Sequence, residues 1–383
     1  MKTPASLIMS LLLAACASAP PLPPADTLFH DALFDPPSVV IAPGEALAIS
    51  ADMRRYIATR LVARSRFDDP KQRLFNALYR QDELRLEYDA AVTRTAAQAF
   101  EAKAGNCLSL VLMTAAFAKE MGLAVRYQIV RGDDAWDRSG DLYLSVGHVN
   151  LRLGAPPSPF GVSFMERDSM TIDFMPSRNA RALHTREVQE HTIVAMYLNN
   201  RAVEALSRGQ LGDAYAWARE AIRTDPELPG AYLTLGVVYR NQHQPEWADR
   251  ALRRVTDRDP DNVKALSNRV GVLRDLGRTA EAQALVERLD RLDPHPPFSY
   301  FHLGMAALRE RRFEAARALF EKEVARAPYQ HEFQFWLAVT WLELHDPARA
   351  AVHLARAVEA STTRQDHDLY AAKLDRLKAL GPR

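Results

Sequence analysis

The chain has 383 residues, more than one ordinary core organises, so its length predicts at least two domains. Hydrophobic residues make up 48% and charged residues 25%, the balance of a globular chain rather than a disordered one. A formal net charge of +1 leaves no basic excess of the kind that follows a phosphate backbone, which argues against a nucleic-acid partner.

At the amino terminus, Lys2 precedes the apolar run "LIMSLLLAA", too short for a lasting membrane span. The run ends in Leu13-Ala14-Ala15-Cys16, which resembles a bacterial lipoprotein cleavage box. That resemblance implies a leader over 1–16, a lipid on Cys16 and a mature protein anchored in the cell envelope. Ala17 in the second mature position resembles the outer-membrane pattern, facing the periplasm. An ordinary secretory signal with a chance cysteine is the competing reading. The following 17–40, rich in proline and alanine, is expected to be an extended, semi-rigid linker.

A helix is expected over "TRTAAQAFEAKA", broken by Gly105 and Asn106. From Leu108 to Met121 the chain is apolar almost all round, the pattern of a helix buried on every side, with Gly122 as its stop. Asn106 suits the N-cap. Cys107 then falls on the first turn, where the positive end of the helix dipole favours a thiolate and free N–H groups suit an oxyanion. If Cys16 carries lipid, Cys107 has no disulfide partner. It is then either a small buried hydrophobe or a functional thiol.

Beyond this helix the texture turns to β. Strands are expected over 124–130, 142–153 and 169–175, with "RGDDAWDRSG" as a polar loop. In the second strand His148, Asn150 and Arg152 share one face; in the third, Thr171 and Asp173 do. If these strands pair, His148 and Asp173 can stand on one polar face. A thiol nucleophile needs a base, and the base an orienting group.

The segments "AGNCLSLVLMTAAFAKEMGLAVRYQIV", "GHVNLRL" and "TIDF" together resemble the transglutaminase-like branch of the papain-type superfamily. The resemblance implies an α+β domain over 41–194, with Cys107 as nucleophile, His148 as base and Asp173 as its orienting acid. Asp133, Asp134 and Asp141 are rivals for the acid. The family holds transamidases, peptidases, amidases and inactive members, so the likeness does not fix a reaction.

In the second half, Pro226, Pro260, Pro294 and Pro328 recur every 34 residues, the tetratricopeptide period. Ala214, Ala248, Ala282, Ala316 and Ala350 share one register position, where the paired helices must approach closely. Leu235-Gly236 and Leu303-Gly304 mark the matching contact on the first helix, and Phe320 and Leu354 the bulky slot on the second. This resembles five tetratricopeptide (TPR) repeats over 195–364, an all-α solenoid, with a capping helix over 365–383. Copy three departs from the pattern with Arg269-Val270. Such arrays bind proteins or extended peptides, and Asn199, Asn200, Arg240, Asn241, Asn268, Arg274 and His302 offer polar first-helix positions. A merely solvated surface is the alternative. Trp217, Trp247, Phe333, Trp336 and Trp341 are expected to pack between helices.

No HExxH, CxxC or phosphate-cradling glycine loop is present. His184 and His191 lack metal-ligand spacing, so neither metal nor cofactor is expected. Two classes of function remain. One is a membrane-anchored enzyme in which Cys107 forms a thioester that water or an amine releases, while the repeats bind protein. The other is an inactive TPR scaffold. The joint presence of cysteine, histidine and acid favours the first.

Overall fold

The computed structural model describes residues 23–379, apart from 63–68, 81–83, 85, 90–91, 132–134, 140–141, 147, 155–168, 175–183, 295–297, 329 and 362–363. Cys16 and the rival acids Asp133, Asp134 and Asp141 lie outside the described residues.

Among the described residues, four α-helices precede the four-stranded sheet. Helix α1 (Ala51–Tyr56) is capped by the Ser50 hydroxyl and widens into a π-type turn over Ile57–Val62. Asp69 caps α2 (Pro70–Tyr79). Thr95 and Gln98 start α3 (Ala96–Ala102) with a reciprocal capping box. The two-residue strands β1 (Glu87–Tyr88) and β2 (Ala104–Gly105) pair in parallel and deliver the chain to α4 (Cys107–Glu120). Every α4 residue from Cys107 to Ala118 is buried. The helix ends where Gly122 turns left-handed at φ +75° and the Leu123 N–H returns to the Ala118 carbonyl at 2.8 Å.

Helix α4 lies against β3 (Ala124–Arg131) and β6 (Val149–Gly154). With β7 (Met170–Ile172) and β8 (His184–Val188), these form an antiparallel sheet in the order β7-β6-β3-β8. Val149, Leu151 and Leu153 are fully buried, so β6 turns its apolar alternate positions to the core. A separate hairpin joins β4 (Ala135–Ser139) to β5 (Leu142–Val146). Two expectations are corrected here. The polar stretch expected as a loop contains β4, and the strand expected over 142–153 is two strands with different partners. The apolar positions shift phase at Gly147, from Leu142, Leu144 and Val146 to Val149, Leu151 and Leu153, a break that one continuous strand would not show. The charged strand β8 lies at the sheet's edge, where charge discourages further pairing.

The rest is helical: α5 (Glu190–Ser207) with α6 (Leu211–Thr224), α7 (Pro229–Asn241) with α8 (Pro245–Thr256), α9 (Val263–Asp275) with α10 (Thr279–Leu292), α11 (Ser299–Arg309) with α12 (Phe313–Arg326), α13 (His331–Glu343) with α14 (Pro347–Ala360), then α15 (Arg364–Ala379). The five register alanines are all buried. The small-residue slot is complementary in volume. A Cβ on Gly236 would lie 2.7 Å from Leu252 Cγ, and one on Gly304 2.8 Å from Phe320 Cε1. In the same register copy three sets Val270 against Val286, and copy five Ala338 against Leu354. A larger residue on one helix thus accompanies a smaller one opposite.

Among the described residues the stacking is interrupted between α10 and α11. Helix α10 does not pack on α11 as α6 does on α7 or α12 on α13. Leu303 is 57% exposed, whereas its register counterparts Leu235 and Leu337 are 0% and 1%. The hydrophobic core accordingly divides, one part ending at Val272 and the next beginning at Phe298. Copy three is also where Arg269 replaces leucine and reaches back to Asp249 at 2.9 Å.

The described part of 17–40 is not a free spacer. From Pro23 onward it forms a strap across α6, α7 and α8. Tyr215 accepts the His30 N–H at 2.8 Å, and Asp213 accepts both the N–H and the hydroxyl of Ser38 at 2.6 Å. Tyr239, Gln242 and Arg254 donate to the carbonyls of Leu28, Leu33 and Pro23. Phe34 stacks on Tyr215 with ring centroids 4.1 Å apart.

Candidate functional site

Asn106 occupies the N-cap of α4, its Oδ1 accepting the Ser109 N–H at 2.9 Å. Its amide donates to Thr93 Oγ1 at 2.8 Å, so the side chain is engaged and any oxyanion donors here are backbone groups. The Cys107 and Leu108 N–H groups have no acceptor among the described residues. Gly105 has to be glycine: a Cβ there would lie 2.6 Å from Ser109 Cβ.

His148 sits just before β6 and Asp173 just after β7, two paired strands. The His148 Nε2 and Asp173 Oδ2 are 2.9 Å apart. Asn150 donates to the same carboxylate oxygen at 3.2 Å, and the Tyr79 hydroxyl donates to the Asp173 carbonyl at 2.6 Å. Tyr79 also stacks on Phe174. Asp173 is thereby held through its side chain and its backbone.

With Nε2 given to Asp173, the imidazole's Nδ1 makes no hydrogen bond of ordinary geometry among the described residues. The Cys107 thiol is close enough to influence the ring's protonation. Burial, the largest single influence, opposes the charged ring. Hydrogen bonding and charge from Asp173 and Cys107 outweigh it, and the His148 pKa is raised from 6.5 to about 9. An imidazolium flanked by carboxylate and sulfur therefore prevails at neutral pH. Cys107 and His148 are 2% and 3% exposed, so the pair is closed to solvent.

The structure thus brings Cys107, His148 and Asp173 together from α4 and the two strands. Asn150 was legible as a same-face neighbour of His148, two positions along the strand. Tyr79, 94 residues from Asp173, gave no local signal. Among the described residues, no group of three or more His, Cys, Asp and Glu side chains is placed to hold a metal ion.

The first-helix candidates fare unevenly. Arg274, Asn241 and His302 are exposed, and Asn199 and Asn268 half-buried. Arg240 is ion-paired to Asp275 at 2.6 Å, and the Asn241 amide returns to the Val237 carbonyl at 3.2 Å. Asn200 is turned toward Thr93. The aromatic residues pack between neighbours: Trp217 meets Tyr197 edge-on, Trp247 stacks on Tyr239, and Phe333 lies against Phe298.

A tetratricopeptide repeat family model matches residues 233–297 and 301–364. The C-terminal helix pairs are tetratricopeptide repeats. Among curated proteins, the type IV pilus assembly protein PilF of Pseudomonas aeruginosa is 31% identical over 121 residues, 31% of this chain and 48% of PilF. The match therefore spans about half the length of that relative. The solved PilF structure is 21% identical with a TM-score of 0.28, covering 49% of this chain and 94% of that one. MamA from Desulfovibrio magneticus RS-1 is 20% identical with a TM-score of 0.26, covering 45% and 96%. No helix among the described residues is long and apolar enough to cross a membrane.

Proposed function

We propose that this chain is a protein-binding scaffold of a bacterial envelope, with the repeats as its working surface. The observation that carries this reading is the TPR array itself, an architecture that recognises protein or peptide partners. The likeness to a pilus assembly protein supports an envelope location, and the lipoprotein-like box at Cys16 supports a lipid anchor. The exposed first-helix residues Arg274 and His302 are the natural contact points. A photo-crosslinking residue placed at either position should capture one discrete partner band in intact cells, and the same residue at Glu287 on α10 should not. Equal capture from both faces would sink this assignment.

A second reading is favoured by a specific observation, the convergence of Cys107, His148 and Asp173. In it, residues 41–194 form a thiol acyl-transfer domain. The Cys107 thiolate attacks an amide carbonyl, and a carbon–sulfur bond forms. The imidazolium of His148 passes its proton to the departing amine as the carbon–nitrogen bond breaks. Water or a second amine then attacks the thioester, giving its proton to His148 as the thiolate leaves. Asp173 fixes the ring, and the Cys107 and Leu108 N–H groups suit the developing oxyanion. The closed sulfur requires that substrate displace its cover. A small alkylating probe should label Cys107 in the native Cys16→Ser protein near neutral pH, and His148→Ala should slow that labelling. Labelling only after denaturation would leave Cys107 a buried packing residue and the scaffold as the sole function.

A further inference from the structure

Thr93 lies in the segment before α3 and is 2% exposed, yet its polar groups are almost fully engaged. Its hydroxyl oxygen accepts the Asn106 amide at 2.8 Å and the Asn200 amide at 3.3 Å. Its N–H donates to Glu204 Oε1 at 2.7 Å. Its carbonyl accepts from Arg201 at 3.4 Å, and the same guanidinium nitrogen holds Glu204 Oε2 at 2.7 Å. Asn200, Arg201 and Glu204 all belong to α5, the first helix of the first repeat pair. Asn106 is the residue directly before Cys107 and caps its helix. The next residue, Arg94, donates its N–H to Ser109 Oγ at 2.8 Å, and that hydroxyl donates to Asn106 Oδ1 at 2.9 Å. One buried threonine therefore joins the repeat array to the cap of the thiol-bearing helix.

We infer that α5 is a positioning element of the thiol site: Asn200 and Glu204 hold Thr93, Thr93 holds Asn106, and Asn106 sets the helix start that presents Cys107 to His148. This rests on the acyl-transfer reading of Cys107 and extends it across the domain boundary. Helix α5 is clasped to the same domain at its other end, where Glu190 receives the Tyr127 hydroxyl at 2.7 Å and pairs with Lys119. The helix therefore bridges the thiol domain along its length. A buried polar network with most of its groups engaged resists rearrangement, so a displacement of α5 has to be taken up at the cap. A partner that shifts the first repeat would then change how the sulfur meets the imidazole.

The test uses the full chain with Cys16→Ser, so that Cys107 is the only thiol, and follows its alkylation by iodoacetamide from pH 5 to 10. Thr93→Val keeps the shape and removes the shared oxygen; Thr93→Ser keeps the oxygen. Asn200→Leu removes the α5 contact to the Thr93 hydroxyl and leaves the bond from Asn106 in place. Thr93→Val and Asn200→Leu should each slow alkylation about tenfold, the scale of one lost buried hydrogen bond expressed as a rate. Both should also move the midpoint of the pH profile, while Thr93→Ser stays within about threefold of the parent. Lower thermal midpoints with unchanged rates and pH profiles would mark the hub as purely structural and overturn the proposal. His148→Ala separates the two levels. If it slows alkylation while the Thr93 and Asn200 variants do not, the relay alone falls. If it changes nothing, the acyl-transfer reading falls and the relay with it.

Discussion

Removing the Asp173 carboxylate tests the site at its most exposed assumption, that a buried histidine stays charged. In the folded protein the carboxylate and the sulfur overcome burial and raise the His148 pKa from 6.5 to about 9. That difference corresponds to about 3 kcal/mol of preferential interaction with the charged ring. The folded histidine holds its proton more tightly than the unfolded one. Its contribution to stability is therefore complete below pH 6.5 and disappears as pH climbs from 6.5 through about 9. Asp173→Asn keeps the shape but removes the opposing charge, and burial then acts against the imidazolium with less to resist it. The His148 midpoint should fall by about 1–3 pH units, the usual effect of a close opposite charge. Histidine-selective NMR across pH 5 to 10, with His148→Gln to assign the resonance, reads the midpoint directly. Urea denaturation at pH 6 and 9.5 reads the energy, and the gap between parent and Asp173→Asn should be wider at pH 6 by up to about 3 kcal/mol. A parent His148 that titrates at or below 6.5, unmoved by Asp173→Asn, would refute the ion-pair account.

The repeats and the strap make their own predictions. Gly236→Ala gains about 1 kcal/mol of helix propensity but sets a Cβ 2.7 Å from Leu252 Cγ, and overpacking of about 1–3 kcal/mol should win. Leu252→Val in the same chain should recover most of that loss in a thermal melt. Ala248→Leu or Ala316→Leu, at fully buried contacts, should each cost about 1–3 kcal/mol by the same measurement; two neutral variants would refute the assigned register. Glu323 is 1% exposed and accepts the Tyr300 and Phe301 N–H groups while pairing with Arg326. Glu323→Ala should remove about 3–5 kcal/mol and raise amide exchange in α11 before it does so in α7. Phe34→Ala should lose about 1–3 kcal/mol of stacking on Tyr215 and speed protease cleavage between residues 23 and 47; an unchanged cleavage rate would deny the strap its hold.

What could be read ahead of the structure was local or periodic. The 34-residue spacing marks the helix pairs because each pair repeats one short-range packing problem. Asn106 and Gly122 bracket α4 because caps are local chemistry. The convergence of His148 and Asp173 was within reach of strand alternation, since both stand on one face once β6 and β7 pair. Partner choice was not within reach: the phase shift of the apolar positions at Gly147 marks a break in the strand but does not say that β5 pairs with β4 while β6 joins β3. The strap is hidden from the sequence for the same reason. Proline and alanine suggest an extended spacer, and the groups that fix it, Tyr215 and Asp213, stand 185 and 175 residues away from the atoms they hold. The hub at Thr93 is equally non-local, 107 residues from Asn200. The interruption between α10 and α11 falls next to copy three, where Arg269-Val270 stands in place of Leu-Gly, a visible departure whose outcome depends on how whole helices stack.

The strap also decides where mechanical load enters the molecule. Arg254 grips the carbonyl of Pro23 at 2.7 Å across 231 residues of chain, and the bonds to Tyr215, Tyr239 and Gln242 follow in succession. Tension applied to the leading end would be carried first by α6, α7 and α8, in shear across several short bonds at once. The sheet and its sulfur would lie downstream of that clasp, sheltered from any pull that reaches the chain through its leading end.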